Sequence, residues 1–174
     1  MCSNIQKELK SSILITRYSG NPILTSEQIP YPSVLVFNPG VTKYLGHYIM
    51  VFRNDYGSRH KKQIDGTNLG LAFSNNGINW EVAPKPFFAL SDEDIRWVND
   101  PRLTVIDSKC YITYAIIGRS GVWGSIAVTE DFQSYEILYT IIGFSNIPLM
   151  VPEVAYEING GFRNNVIFPS GMIL

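Results

Sequence analysis

The stretch Gly70-Leu71-Ala72-Phe73-Ser74, followed by Trp80-Glu81-Val82, decides the fold, because the chain repeats its pattern 55 positions later. The second copy reads Ser125-Ile126-Ala127-Val128-Thr129 and continues with Tyr135-Glu136-Ile137. Each copy is a short apolar run, then a polar turn, then an aromatic residue. An internal repeat of this length predicts a fold that is built from equivalent structural units.

Two further pairs of segments extend the repeat towards the N-terminus. Asn38-Pro39-Gly40-Val41 is echoed by Asp100-Pro101-Arg102-Leu103, with a shift of 62. Tyr48-Ile49-Met50 is echoed by Tyr111-Ile112-Thr113, with a shift of 63. The unit is therefore about 55 to 65 residues long and holds about four strands, which is typical of one blade of a β-propeller.

Short β-branched and aromatic runs, bounded by Gly, Asn, Asp and Pro, indicate an all-β protein. Asn76-Gly77 predicts a turn between two of them. The predicted strands are Ser12–Tyr18, Ser33–Phe37, His47–Arg53, Asn68–Ser74, Asn79–Val82, Leu103–Ile106, Cys110–Ile116, Gly124–Thr129 and Tyr135–Thr140.

These strands divide the chain into a first blade at about 30–90, a second at about 95–145 and the start of a third at about 163–174. Propellers typically close with four to eight blades. Two and a half blades predict a partial propeller, so we expect either a truncated protein or a homo-oligomer or another chain that completes the ring.

The composition excludes several classes of function. The chain has 174 residues with a formal net charge of -1, which gives no general attraction for nucleic acid. The first residues lack a signal peptide, and no run reaches the roughly 18 apolar residues of a membrane span. The two cysteines, Cys2 and Cys110, show no disulfide or metal-site spacing. We therefore expect a cytoplasmic protein without a metal or cofactor.

An ordered set of segments resembles glycoside hydrolase family 130. The set is Arg17–Leu24 with Ile29-Pro30, Val36–Val41, Val51–Asp55, Leu69–Ser74, Asp100–Thr104, and Ile126–Thr129 with Asp131-Phe132. The resemblance implies a five-bladed β-propeller. It also implies an inverting phosphorylase that cleaves a β-mannoside, such as β-1,4-mannosyl-glucose or a mannooligosaccharide, with inorganic phosphate to give α-mannose 1-phosphate.

Asp100 is the predicted general acid, since cleavage of a glycosidic bond requires a proton on the leaving oxygen. In the family, the matching Asp acts through a hydroxyl of the bound mannose. The structural alternative is an Asp that caps a turn before Pro101. Asn38 starts the equivalent loop of the first blade and is predicted to bind a sugar hydroxyl. Its alternative is an Asx turn before Pro39.

Arg53 follows an apolar run, and the resemblance implies a contact with sugar or phosphate. The alternative is an ion pair with Asp55 at the rim. The resemblance also makes Asn54 and Arg102 candidate substrate ligands, although Arg102 could equally be structural. Arg163 and Asn164 resemble the family's phosphate-binding pair.

Two other functions stay open. A glycoside hydrolase on the same propeller needs a second carboxylate about 6.5–9.5 Å from the first if it inverts, and Asp55 is a speculative candidate. A non-catalytic carbohydrate-binding or assembly module is the other alternative. Trp97 and Trp123 are candidate platforms for stacking a sugar ring, although core packing is the favoured explanation for both. Because two blades cannot enclose a complete pocket, we expect little or no activity from the chain alone.

Overall fold

The computed structural model describes residues 14–58, 60–61, 63–89, 95–119 and 121–141. It contains two antiparallel sheets of four strands, and in each sheet the strands are neighbours in chain order. The first sheet consists of β1 (Leu35–Tyr44), β2 (His47–Ser58), β3 (Gln63–Ser74) and β4 (Glu81–Val82). The second consists of β5 (Ile95–Ile106), β6 (Lys109–Gly118), β7 (Gly121–Thr129) and β8 (Glu136–Ile141).

Eight of the nine predicted strands are confirmed, with bounds that shift or extend by up to eight residues. The predicted strand Ser12–Tyr18 is wrong, because its described part, residues 14–18, forms no strand. Leu14 is 91% exposed and Ile15 is 72% exposed, so the apolar side chains that suggested a strand are outside the core. The β3–β4 turn is confirmed, with Gly77 at a φ of 73°.

The strand registers show that β1 and β2 repeat in β5 and β6 with a constant shift of 62. Gly40 pairs with Val51, and Arg102 pairs with Thr113. The shift of 63 between Tyr48 and Tyr111 is therefore wrong, and Tyr48 corresponds to Cys110. A slip of one residue would move every side chain of the strand to the other face of the sheet.

The main core lies between the two sheets. Val51 and Leu69 of the first sheet and Ile112 and Ala127 of the second are all fully buried there. Near the far end of β1, the Tyr44 hydroxyl lies 2.5 Å from the Ser108 carbonyl oxygen and 2.9 Å from the Glu130 carbonyl oxygen. Apolar burial and these cross-sheet bonds hold the two sheets together.

A second core covers the other face of the first sheet. Met50 and Phe52 of β2 pack there with Ile29, while Ile23 and Leu24 lie against them. The segment before β1 therefore protects a sheet face that would otherwise be exposed.

The predicted start of a third blade at about 163–174 lies outside the described residues, so the blade boundaries stay a prediction. Within the described part of the chain, no helix is long and apolar enough to cross a membrane.

Candidate functional site

Asn38 and Asp100 occupy equivalent breaks in β1 and β5, the first strands of the two sheets. The pairing of β1 with β2 shifts between Phe37 and Gly40, and that of β5 with β6 shifts between Asn99 and Arg102. Both residues have positive φ, 48° for Asn38 and 52° for Asp100. A proline follows each and has no N–H to donate to the strand ladder. This backbone conformation is uncommon for residues other than glycine, and such strain concentrates at functional sites.

One hydrogen bond joins the two breaks. The Asn38 amide donates from Nδ2 to Asp100 Oδ1 over 2.6 Å. Asn38 is exposed and Asp100 is partly buried, so the carboxyl group is oriented by its neighbour and still lies near solvent. The structure therefore brings together the predicted acid and one predicted sugar ligand.

Close contact between the sheets fixes the distance across this site. A Cβ added to Gly40 would lie 2.7 Å from the Pro101 carbonyl oxygen and 3.0 Å from Arg102 Cα. Thr67 Oγ1 accepts a hydrogen bond from Val98 N at 2.6 Å and lies 3.1 Å from the Val98 carbonyl oxygen. These contacts hold β5 against β1 and β3 beside Asn38 and Asp100.

Arg53 forms a two-pronged ion pair with Asp55. Its Nε lies 2.7 Å from Asp55 Oδ1, and its Nη2 lies 3.1 Å from Oδ2. Its guanidinium carbon also lies 4.5 Å from the centre of the Phe37 ring, next to Asn38 in the chain. The Arg53 side chain is 17% exposed and that of Asp55 is 5% exposed. The ion pair of the structural alternative is thus present, but it is largely buried rather than at the rim.

The pair does not use the whole guanidinium group. Arginine carries five N–H donors, and the bonds to Asp55 use two of them. The bonds to Asp55 hold the Arg53 guanidinium plane in a fixed orientation against Phe37. The N–H donors that Asp55 does not use therefore point in a defined direction. A contact with sugar or phosphate is compatible with this arrangement and stays a prediction.

Asn54 lies on the opposite face of β2 from Arg53, because side chains alternate along a strand. Its side chain is fully buried, and Nδ2 donates to the Pro32 carbonyl oxygen and to Asn68 Oδ1, both at 3.0 Å. These bonds tie the segment before β1 to the first sheet. At this depth its amide is out of reach of a dissolved sugar.

Arg102 donates from Nη1 to the Pro101 carbonyl oxygen at 2.8 Å and so supports the break that carries Asp100.

Trp97 is 38% exposed on β5, three positions before the acid, and remains a candidate for stacking a sugar. Trp123 packs against the main core instead. Arg163 and Asn164 lie outside the described residues.

Sequence reasoning missed Asn99, which precedes the acid. It is 5% exposed, and its Oδ1 is buried without a hydrogen-bond partner among the described residues. A buried acceptor in this state is unfavourable. The signal for it was an amide residue directly after the apolar Val98 and directly before Asp100. Phe37, the ring against Arg53, was missed because apolar residues in strands are usually core.

Within the ranges that the structure describes, no three His, Cys, Asp or Glu residues are grouped closely enough to hold a metal ion.

Comparison with known families matches residues 7–143 to the β-1,4-mannooligosaccharide phosphorylase family. The chain belongs to glycoside hydrolase family 130. It is 29% identical over 161 residues to a β-1,4-mannooligosaccharide phosphorylase from Ruminococcus albus. This match covers 86% of this chain and 45% of that protein. It is 32% identical over 117 residues to a β-1,2-mannobiose phosphorylase from a Thermoanaerobacter species, which covers 60% of this chain and 37% of that protein.

Solved structures show the same fold. A β-1,2-mannobiose phosphorylase from Listeria innocua aligns with a TM-score of 0.59 at 19% identity, over 70% of this chain and 49% of that one. A putative glycosidase from Bacteroides thetaiotaomicron aligns with a TM-score of 0.60 at 24% identity, over 70% and 40%. The family 130 neighbours are five-bladed β-propellers, which confirms the predicted fold class. The chain spans less than half the length of the curated family 130 relatives that it matches.

Proposed function

We propose that this chain supplies the acid-bearing part of an inverting β-mannoside phosphorylase, with Asp100 as the general acid. The observation that supports this most directly is the bond from Asn38 Nδ2 to Asp100 Oδ1 at 2.6 Å, between two strained pre-proline positions. A residue that only capped a turn would bond within its own loop. This carboxyl group is instead oriented by the neighbouring sheet.

The proposed reaction uses inorganic phosphate and no cofactor. A phosphate oxygen attacks the anomeric carbon of mannose while the glycosidic bond breaks on the opposite face. The proton of Asp100 passes through a mannose hydroxyl to the leaving oxygen, and the products are α-mannose 1-phosphate and the freed sugar. Because Oδ1 accepts from Asn38, the transferable proton resides on Oδ2. Asn38 thereby sets which oxygen acts.

Arg53 is proposed to bind the sugar or phosphate with the donors that Asp55 does not use. Arg102 keeps the Asp100 loop in place through its bond to the Pro101 carbonyl oxygen, and we propose it as a further substrate ligand. Arg163 and Asn164 are proposed as phosphate ligands on the sequence resemblance alone.

The partner that completes the propeller is proposed to be further propeller sequence, supplied by a second copy or by another chain. We also propose the cytoplasm as the compartment, in keeping with the buried free thiol of Cys110.

The test is release of phosphate from α-mannose 1-phosphate in the presence of glucose or mannose, with the 174-residue chain. We expect a low rate from the chain alone. Any rate should fall by about 100-fold or more in Asp100→Asn, which cannot donate the proton. Asp107→Asn is the matched control, because Asp107 is an exposed turn residue of the same sheet. Equal rates in wild type and Asp100→Asn would contradict the assignment.

A binding measurement keeps the test informative if turnover is too slow to detect. In a ¹H–¹⁵N NMR titration, α-mannose 1-phosphate should shift the Asn38 side-chain amide signal in wild type and less in Asp100→Ala. An unchanged Asn38 signal at saturating ligand would overturn the proposal. Shifts without any turnover would favour the non-catalytic binding module.

The hydrolase alternative gains no support from Asp55. That carboxylate is 5% exposed and holds Arg53 through both oxygens, so it is not placed to activate water. The requirement for phosphate in the forward reaction on β-1,4-mannobiose separates the two reactions.

A further inference from the structure

A cavity of about 550 Å³ lies at the end of the first sheet opposite to Asn38. Asn38 is near the start of β1, whereas the cavity adjoins His47, which pairs with Tyr44 at the end of β1. The cavity is open to solvent, so a ligand bound there would stay partly exposed. The residues that matter for its chemistry are His47, Phe73, Asn75, Asn79, Trp80 and Glu81.

The lining side chains are held in place by the β3–β4 turn. The Trp80 indole donates from Nε1 to the Gly77 carbonyl oxygen at 3.2 Å. His47 Nδ1 lies 2.7 Å from Asn75 Oδ1, which links the start of β2 to this turn. Asn76 Oδ1 accepts from the backbone N–H groups of Ile78 and Asn79, both at 2.9 Å. The ring and the polar groups therefore form a preorganised surface.

The second sheet shows that the fold does not require this surface. Its β7–β8 turn has the same bonds, because Asp131 Oδ1 accepts from the N–H groups of Gln133 and Ser134. Lys109 and Glu130, however, occupy the positions of His47 and Asn75 and form an ion pair at 2.8 Å.

The aromatic position also differs between the two turns. Tyr135, which corresponds to Trp80, packs with its ring centre 4.0 Å from that of Phe88 in the interface between the sheets. In the first sheet, by contrast, the indole lines a cavity beside amide groups.

The chemistry of the lining indicates the class of ligand. Among the cavity residues there is no lysine or arginine, so an anionic ligand such as a phosphorylated sugar is disfavoured. An aromatic ring, two amides, an imidazole and a carboxylate are the groups that stack on a pyranose and bond its hydroxyls.

We propose that this cavity is a second carbohydrate-binding site, which takes a short neutral saccharide at the opposite end of the first sheet from Asp100. The site would hold a saccharide chain on the protein without taking part in the reaction. The inference stands on the cavity and on the comparison of the two turns, and it does not depend on the proposed phosphorylase activity.

The test is a ¹H–¹⁵N NMR titration of the 174-residue chain with β-1,4-mannotriose, and with cellotriose as a second neutral probe. We expect saturable shifts of the Trp80 indole N–H and of the Asn75 and Asn79 side-chain amides. Trp80→Ala should weaken binding at these signals by about 10-fold or more, as is common for a central tryptophan. No saturable shift of the Trp80 signal with either probe would overturn the proposal.

Because Trp80 also packs against the second core, a variant that preserves the ring is needed. His47→Lys with Asn75→Glu places the Lys109–Glu130 pair of the second sheet on the first and should leave the fold intact. It should reduce trisaccharide binding at the Trp80 signal by about 10-fold. Unchanged binding in this double variant would overturn the site.

Asp100→Asn separates the two sites. It should leave the Trp80 titration unchanged, while it affects the Asn38 signal with α-mannose 1-phosphate. If Asp100→Asn removed the Trp80 shifts and Trp80→Ala did not weaken binding, the saccharide would occupy the Asp100 site, and the second site would be rejected.

Discussion

The second strands of the two sheets share one register but carry opposite chemistry at the same positions. In β2, Arg53–Asp55 brings an ion pair and a buried amide, whereas the equivalent residues of β6 are Ala115–Ile117. The fold is therefore compatible with apolar side chains at these positions. Burial of charged and amide groups has a desolvation cost that apolar residues avoid. The ion pair of Arg53 with Asp55 is consequently better explained by the adjacent Asn38–Asp100 site than by stability, whereas Asn54 ties the segment before β1 to the first sheet.

The largest expected effect comes from Asp55→Ile, which gives β2 the side chain that β6 has at the equivalent position, Ile117. Asp55→Ile leaves the Arg53 charge largely buried and unpaired, and should lower the free energy of unfolding by about 3 kcal/mol. Arg53→Ala together with Asp55→Ile reproduces Ala115 and Ile117, and should recover most of that loss. Urea unfolding followed by tryptophan fluorescence measures both. A double variant as unstable as the single one would show that the ion pair itself stabilises the fold.

The same comparison shows why the fold was readable from the sequence and part of the site was not. Strands and repeats follow from local patterns, the repeat indicated that Asn38 is the equivalent of Asp100, and a family resemblance suggested Arg53 and Asp100 as site residues. The depth of Asn54 depends on the segment before β1, which packs over that face and accepts its bond through Pro32. No local pattern gives the position of a distant loop.

The 63-residue shift failed for a related reason. Tyr48 and Tyr111 look equivalent by residue type, but the strand ladder pairs Cys110 with Thr129 just as it pairs Tyr48 with Ser74. Register is set by the pleat and by neighbouring strands, and residue identity alone does not determine it. The bond between Asn38 and Asp100 likewise required both sheets to be in place.

A second difference between the sheets lies at the contact between β1 and β5. Gly40 faces the backbone of Pro101 and Arg102, while Arg102 itself occupies the equivalent position in β5. Gly40→Ala should force the strands apart and lower the unfolding free energy by about 1–3 kcal/mol. Thermal unfolding monitored by circular dichroism measures this. Arg102→Ala is the matched control, with a smaller expected loss, and an equal loss would place the constraint elsewhere.

The Asn38 side chain ends in an amide and the Asp100 side chain in a carboxyl group. Asn38→Asp removes this difference and places two carboxyl groups at the site. Two carboxyl groups at this distance favour a folded state in which they share one proton, and ionisation of both is unfavourable because their charges repel. Stability is therefore retained at low pH and lost as the pH rises and the shared proton is released.

We therefore expect Asn38→Asp to be about as stable as wild type near pH 4. By pH 7 it should be less stable by about 1 kcal/mol, since two like charges near a solvent-exposed surface repel each other by about that much. Urea unfolding at both pH values measures the difference. Stability that is independent of pH relative to wild type would show that the two side chains separate when both are ionised.

The smallest expected effect concerns the two β-turns, which use Asn76 and Asp131 for the same bonds. Backbone N–H groups of Ser134 and Gln133 lower the pKa of Asp131 below 3.8. Its contribution to stability is therefore present above that pH and is lost as the pH falls through the lower folded value.

Asp131→Asn should leave stability at pH 7 nearly unchanged, because Asn76 makes equivalent bonds in the first sheet, and should reduce the loss of stability between pH 4 and pH 2. Asn76→Asp is the reciprocal variant and should add acid sensitivity to the first turn. Acid unfolding curves of the three proteins measure both changes. If neither substitution alters the curve, the turn bonds are equally strong with an amide and with a carboxylate, and the difference between the sheets at this position has no electrostatic consequence.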